Sequence, residues 1–152
     1  MNLDIQLSPH FTLREMVVTT HRTIDNTPPD AVVDKLRILC ADYLERVRDR
    51  FGPLVIGSGY RCRSLNSIVG GQASSAHVFG CAADFVPADK KVTTQAVVRW
   101  VRSSALLYDQ VIDEYSSTSN WVHLGIQRPG TGPARLETLV IRNGVKSPFE
   151  AA

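Results

Sequence analysis

The sequence predicts an α+β domain in which helices pack against a mostly antiparallel sheet. A long run of apolar residues recurs at helical spacing after Asp30, and shorter apolar runs bounded by glycine, proline and serine follow it. The runs at 110–115 and 121–126 flank a serine-rich turn, which is typical of a β-hairpin. Because 152 residues, 43% of them apolar, suffice for one core, we assign residues 1–152 to a single domain.

The first long element is predicted to be a helix that covers one face of the sheet. Asp30 caps it after two prolines, and Gly52-Pro53 ends it. Its apolar positions are Val32, Val33, Leu36, Leu39, Cys40, Tyr43, Leu44 and Val47. This spacing gives the helix one buried face.

The middle of the chain predicts short elements separated by glycine-rich loops. Leu54-Val55-Ile56 is interpreted as a short buried strand that stops at Gly57. Residues 64–69 form one or two helical turns, 70–75 form a loop, and 82–86 form a strand that carries Asp84.

The last part of the chain predicts a second helix and three strands. Thr93-Thr94 caps the helix. The strands at 110–115 and 121–126 form the hairpin described above, and 139–142 is the last strand, ended by Asn143-Gly144.

Composition and charge exclude several classes of function. A net charge of +2 is too small to indicate a nucleic-acid partner. No stretch approaches the ~18 apolar residues of a membrane span, so we expect no membrane partner. The N-terminus has no basic start and no apolar core of signal-peptide length, which predicts a protein that is made and kept in a cytoplasm.

Three cysteines, an odd number, argue against a complete disulfide framework. Cys40 fits the apolar side of the long helix as a small core residue. Cys62 and Cys81 lie near the chemically richest segment, where a disulfide between them or metal ligation stay open alternatives. Buried free thiols are the simplest interpretation.

The segment from Ser58 to Phe85 is the richest in chemistry. It places His77 and Asp84 seven residues apart among glycines and alanines, and His123 follows downstream. Taken singly, each has an ordinary structural interpretation as a loop or strand residue. Two histidines and one aspartate are also what a catalytic zinc ion needs when its fourth position stays open for water.

This pattern resembles the M15 metallopeptidases, the zinc D-Ala-D-Ala carboxypeptidase-like family. The family motif Ser-x-His-x-x-Gly-x-Ala-x-Asp reads here Ser75, His77, Gly80, Ala82 and Asp84, and the later Trp-x-His reads Trp121-Val122-His123. Phe11-Thr12-Leu13-Arg14-Glu15 is similar to the family's opening, and Ser58-Gly59-Tyr60-Arg61 to its central turn. The resemblance therefore covers nearly the whole chain.

The resemblance implies a site for one zinc ion per chain, bound by His77, Asp84 and His123 at the sheet. It also implies that Arg61 holds a substrate carboxylate or a developing oxyanion, against the alternative of a solvated surface arginine. Ser75 either contacts substrate or orients His77 or Asp84, unless it is a plain loop serine.

Tyr60 and Trp121 are candidate walls of the substrate pocket. The alternative for these two aromatic residues is a place in the core.

The general base is the position where this chain departs from many members of the family. They carry Glu three residues before the last zinc ligand, where this chain has Asn120. The nearby acids are Asp109, Asp113 and Glu114. Relatives with a longer Trp-x-His hairpin carry Glu at the position that matches Glu114, which therefore becomes the predicted base, with Asp113 second.

The resemblance implies hydrolysis of peptide bonds in peptidoglycan stem peptides. We expect a monomeric, bacteriolytic phage endolysin-type endopeptidase that waits in the host cytoplasm before lysis and then degrades the cell wall. The alternatives are a D-Ala-D-Ala carboxypeptidase of the same mechanism and a non-catalytic, zinc-stabilised module that binds the wall or belongs to a virion.

Overall fold

The computed structural model of the chain describes residues 1–150, so the last two positions of the assigned domain lie outside the described residues. The helices are α1 (Leu13–Met16), α2 (Asp30–Ile38), α3 (Glu45–Phe51), α4 (Arg63–Ile68) and α5 (Thr94–Ser103). The strands are β1 (Gln6–Ser8), β2 (Phe11–Thr12), β3 (Leu54–Ser58), β4 (Ala82–Pro87), β5 (Gln110–Tyr115), β6 (Asn120–Gly125), β7 (Glu137–Arg142) and β8 (Val145–Pro148).

Six of the strands form one sheet, in the order β3-β4-β6-β5-β7-β8, and β1 and β2 form a small separate pair. Four of the five neighbouring pairs in the large sheet are antiparallel, and β5 and β7 run parallel. The predicted α+β class and the predicted hairpin of β5 and β6 are confirmed.

The predicted long helix is continuous from Asp30 to Phe51, because a π-helical segment at Leu39–Leu44 joins α2 to α3. It ends at Gly52, which has a positive φ of 83° that glycine adopts with little steric strain. Its core-facing side chains are fully buried, and Cys40 is among them as predicted. The helix therefore covers one face of the sheet with apolar side chains.

Two strand predictions need correction. The strand at 54–56 extends to Ser58 and lies at the edge of the sheet, and Val55 is 53% exposed. Only one of its faces packs on the core, so the short apolar run does not mark a strand buried on both sides. Asn143-Gly144 does not end the sheet: both residues have positive φ and form the tight turn that leads into β8. β8 was missed because its side chains are exposed and show no apolar alternation.

The two faces of the large sheet have different roles. Alternate side chains such as Phe85, Val122 and Leu124 enter the core beneath the helices. Their neighbours Asp84 and His123 point to the opposite face, where the sheet is open toward α4 and the loop that follows it. No helix among residues 1–150 is long and apolar enough to cross a membrane.

Candidate active site

The sheet places the first two candidate ligands side by side. Asp84 on β4 and His123 on β6 are direct partners in the antiparallel register, as the sequence predicts for neighbouring strands. Asp84 Oδ1 lies 2.8 Å from His123 Nδ1. Two of the three ligands therefore sit on rigid backbone.

A glycine turn brings His77 over the same strand. His77 lies in a 3₁₀ turn, Ala76–Phe79, which ends at Gly80 in the left-handed conformation with φ of 67°. A Cβ atom at position 80 would also meet the backbone oxygen of Val32 at 2.9 Å, so the turn needs glycine for both reasons. The chain then reverses into β4, and His77 Nε2 lies 3.3 Å from Asp84 Oδ1.

The Ser-Gly-Tyr-Arg turn fixes the orientation of the His77 ring. The Nδ1–H of His77 donates to the carbonyl of Gly59 over 2.6 Å, which leaves Nε2 free to bind a metal. The backbone N–H of Arg61 in turn donates to the carbonyl of His77. Gly59 must be glycine, because a Cβ atom there would fall 2.4 Å from the carbonyl oxygen of Met16.

The three side chains fit a zinc ion. Each offers one ligand atom, and the three atoms lie within 4.8 Å of one another. Ligands at about 2.0–2.2 Å from a tetrahedral zinc stand roughly 3.3–3.5 Å apart. The 3.3 Å between Asp84 and His77 matches this spacing, whereas the 2.8 Å between Asp84 and His123 is a hydrogen-bond distance that would lengthen on metal binding. Two imidazoles and one carboxylate also leave a fourth position for water or substrate.

The electrostatics of the cluster suit metal binding. Burial lowers the pKa of His77 and so favours the neutral ring that a metal requires. Burial alone would raise the pKa of Asp84, but the two neighbouring histidines hold it well below its usual range. The carboxylate is therefore ionised and ready to act as a ligand.

Arg61 binds the other oxygen of Asp84. Its Nη2 donates to Asp84 Oδ2 over 3.0 Å, and its Nε donates to Ser58 Oγ over 3.0 Å. Both members of the ion pair are largely shielded from solvent. Arg61 thus orients a candidate metal ligand, a contact that the sequence did not predict.

Most of the predicted site residues line one cleft of about 490 Å³ on the open face of the sheet. They are Arg61, His77, Asp84, Glu114, Trp121 and His123. Ile112 and Gln110 also line this cleft, and only their alternation with Glu114 along β5 could have identified them from sequence.

Tyr60 and Ser75 lie elsewhere. Tyr60 packs in the hydrophobic core with 7% of its surface exposed. Ser75 lines a neighbouring cavity of about 300 Å³, which His123 shares with the main cleft. Their assignment to substrate binding stays a prediction.

The structure separates the three candidate acids. Glu114 faces the cleft directly opposite Trp121, and its pKa is raised by burial and by the charge of Asp84. Asp113 points to the other face of the sheet, where it is 1% exposed and accepts hydrogen bonds from Thr94 Oγ1 and from the hydroxyl of Tyr115. Asp109 is paired with the guanidinium of Arg135.

Asn120 is also turned away from the metal ligands. Its Nδ2 donates to Thr94 Oγ1 over 2.7 Å, on the face of the sheet that carries Asp113. Because side chains alternate along β6, position 120 and His123 face opposite sides. A carboxylate at position 120 would therefore not reach the cluster in this register.

Sequence reasoning missed Asn26, which holds the Arg61 turn in place. Its Nδ2 donates to the carbonyl of Tyr60 over 2.9 Å, and its Oδ1 accepts from the backbone N–H of Cys62 over 2.8 Å. These bonds hold the backbone in place on both sides of Arg61. The residue is 7% exposed and belongs to no local pattern, so only the folded structure identifies it.

All three cysteines are free thiols. Cys40 and Cys81 are buried, as the simplest interpretation predicted, but Cys62 is only partly buried. Burial raises the pKa of Cys81 to about 11 and that of Cys40 to about 12, so both stay protonated. The only group of three or more potential ligands within the described residues is His77, Asp84 and His123, and no thiol belongs to it.

Comparison with known proteins agrees with this geometry. No curated protein matches the chain. A family model described as peptidase M15 matches residues 9–125, which include every ligand of the cluster, Arg61 and Glu114. The chain therefore belongs to the peptidase M15 family, whose members are zinc-dependent peptidases.

Proposed function

We propose that this chain hydrolyses peptide bonds in peptidoglycan stem peptides, as an endopeptidase of the phage endolysin type with one zinc ion per chain. The observation that carries the proposal is the convergence of His77, Asp84 and His123 in one cleft that also holds an acid with a raised pKa, Glu114. The peptidoglycan substrate and the endolysin setting rest on the family resemblance.

The ligand set determines the chemistry available. Zinc held by the two imidazoles and Asp84 would supply Lewis acidity for the hydrolysis of a peptide bond. His77 is held in the required tautomer by Gly59, and Asp84 is held by Arg61. These contacts keep the ligands oriented before substrate arrives.

Glu114 is the proposed general base. It accepts a proton from the attacking water and passes it to the leaving amine. The raised pKa of Glu114 makes it a better proton acceptor than an exposed glutamate. Asp113 lacks access to the cleft, because both of its oxygens are occupied on the other face of the sheet.

Two further residues of the cleft are placed to act on the substrate. Arg61 keeps donors beyond those that bind Ser58 and Asp84, and these stabilise the negative charge that develops on the scissile carbonyl oxygen. Trp121 lies directly opposite Glu114 and lines the cleft, so it contributes a wall of the substrate pocket.

The shape of the site favours an endopeptidase over a carboxypeptidase. A cavity of about 370 Å³ adjoins the cleft at Trp121, and the cavity of about 300 Å³ adjoins it at His123. A substrate chain can therefore continue on both sides of the cluster.

Digestion of purified peptidoglycan by the zinc-loaded protein tests this proposal. We expect new free amines and, in mass spectra of defined muropeptides, two peptide fragments. Release of a single terminal D-Ala would identify a carboxypeptidase instead, and binding to the wall without new amines would identify a non-catalytic module. Glu114→Gln is the inactive comparison, and Glu150→Gln, at an exposed position outside the cleft, is its matched control.

A further inference from the structure

We propose that the cavity next to His123 is a subsite for a carboxylate of the substrate, recognised by Arg128. The inference rests on the proposed peptidase function. It specifies in addition that the substrate carries a negative charge near the scissile bond. The cavity measures about 300 Å³ and is lined by Ser75, Gln110, His123, Gly125, Arg128 and Arg135, among others.

The subsite is continuous with the metal cleft. Gln110 and His123 line both cavities, so a ligand can pass from one to the other. Gly125 and Ser75 also line the cavity, and each lies two residues in sequence from a candidate metal ligand, His123 or His77. The cavity therefore adjoins the metal cluster, and we place the recognised carboxylate on a residue next to the scissile bond.

Charge pairing singles out Arg128 among the arginines of the two cavities. Arg61 is paired with Asp84, and Arg135 is paired with Asp109 at 2.7 Å and with Glu137 at 3.4 Å. Arg128 forms no direct ion pair within residues 1–150. Asp109 also lines the cavity, and its pKa is lowered chiefly by its bond to Arg135 and to a lesser degree by the charge of Arg128. A half-buried guanidinium without a direct ion pair in a substrate-accessible cavity is well suited to bind a carboxylate.

Arg128 keeps unused donors. Its Nη1 donates to the carbonyl of Ser74, and its Nε and Nη2 make no hydrogen bond with any described residue. The Ser75 side chain, predicted from sequence to contact substrate, lines the same cavity and offers a hydroxyl to the same ligand. The subsite would therefore explain how Ser75 contacts the substrate.

The cavity at the other end of the cleft differs from the subsite in its charge. The cavity next to Trp121 is lined by Val55, Val86 and other largely uncharged residues, with Asp84 as its one charged member among the described residues. A stem peptide would therefore lie along β6 with its anionic residue toward Arg128 and an uncharged residue toward Trp121. This polarity defines the direction in which the substrate binds.

The competing interpretation is that Arg128 only holds the loop at Ser74. The test compares a stem peptide that carries a free carboxylate next to the scissile bond with the same peptide carrying a carboxamide there. A second pair differs only at the C-terminus, as acid or amide, and distinguishes an internal carboxylate from a chain end. Wild type, Arg128→Gln and the matched surface control Arg46→Gln are compared in zinc-loaded form.

We expect wild type to cleave one of the carboxylate peptides roughly tenfold or more better in kcat/KM than its amide. Arg128→Gln should lose this preference and keep its rate on the amide, whereas Arg46→Gln should behave as wild type. Loss of rate on both peptides alike would overturn the proposal in favour of a structural role, and so would equal cleavage of acid and amide by wild type.

Binding measured by calorimetry to zinc-loaded Glu114→Gln keeps the test independent of turnover. Tighter binding of the acid peptide, lost on adding Arg128→Gln, supports the subsite. Equal binding of acid and amide overturns the subsite alone. Binding of no stem peptide at all overturns the subsite together with the proposed function.

Discussion

Asp84 is the residue on which most contacts of the site converge. Its Oδ1 faces both His77 and His123, and its Oδ2 accepts from Arg61. The two histidines hold the pKa of this carboxylate well below its usual range, so it stays ionised at low pH. The same contacts orient it toward the position of the metal.

Arg61→Lys tests how far this orientation depends on the forked guanidinium. A lysine keeps the charge but cannot bond Ser58 and Asp84 at the same time. We expect zinc affinity to fall about ten- to a hundredfold, the usual scale for a partner of a metal ligand, and turnover to fall with it. Competition with a chromogenic chelator measures the affinity. An unchanged zinc affinity would restrict Arg61 to substrate contact.

Glu114→Gln tests the assigned base. Zinc content should stay at the wild-type level, while kcat falls by roughly a hundredfold or more. A variant that cleaves at the wild-type rate would exclude Glu114 as the base.

The raised pKa of Glu114 also predicts a pH dependence. In the metal-free protein, a folded-state pKa above the unfolded one means that ionisation costs stability at neutral pH. Metal-free Glu114→Gln should therefore be at least as stable as wild type at pH 7, and the difference should vanish once Glu114 is protonated in both states. Denaturant melts at pH 7 and at pH 3.5 measure this.

At the scale of elements, a partly buried polar network joins helix α5 to the hairpin behind the site. Thr94, in the first turn of α5, donates to Asp113 on β5 and accepts from Asn120 on β6. The network lies on the face opposite to the metal ligands. Asp113 and Asn120 directly precede Glu114 and Trp121 in sequence. The network therefore fixes the two strands that carry Glu114 and Trp121.

Thr94→Val removes the hydroxyl that Asp113 and Asn120 share. Asp113 Oδ1 then loses a donor, and Asn120 Nδ2 loses an acceptor. We expect a loss of about 1–3 kcal/mol in the free energy of unfolding. Thr118→Val, in the exposed hairpin turn, is the control and should change stability by no more than about 0.5 kcal/mol. Urea unfolding followed by circular dichroism gives both values. Equal stability of the two variants would mean that water satisfies the network.

The sequence predicted the elements whose signals are local. The long helix, the capped helix α5 and the hairpin follow from periodicity and from turn residues. Long-range features escaped prediction. The π-helical segment at Leu39–Leu44 keeps an apolar spacing that also fits an α-helix, and the parallel pairing of β7 with β5 depends on a crossover that no local pattern specifies.

The candidate site shows the same division. The metal ligands stand out by residue type and motif, whereas Asn26 and Arg128 act through contacts with residues far away in sequence. The choice between Asp113 and Glu114 depends on which face of β5 meets the cleft. Alternation restricts the choice to one of the two, and only the register of the folded hairpin identifies Glu114.

For the whole molecule, zinc should act as a stabilising ligand. The ligands come from the 3₁₀ turn, β4 and β6, so the ion would tie the loop of His77 to the centre of the sheet. A ligand that binds only the folded state adds about 2.7 kcal/mol at a concentration of 100 times its Kd. We expect the Tm to rise with zinc concentration, and to stay unchanged in a His77→Ala, His123→Ala double variant. Differential scanning calorimetry at several zinc concentrations measures this.

The most direct test is to titrate metal-free protein with zinc while measuring hydrolysis of peptidoglycan. We predict that free amines appear only after zinc is added and that the rate saturates at about one zinc per chain. The double variant should bind no stoichiometric zinc and release no amines. Full hydrolysis by metal-free protein, or stoichiometric zinc in the double variant, would contradict the account that His77, Asp84 and His123 form the metal centre of this peptidase.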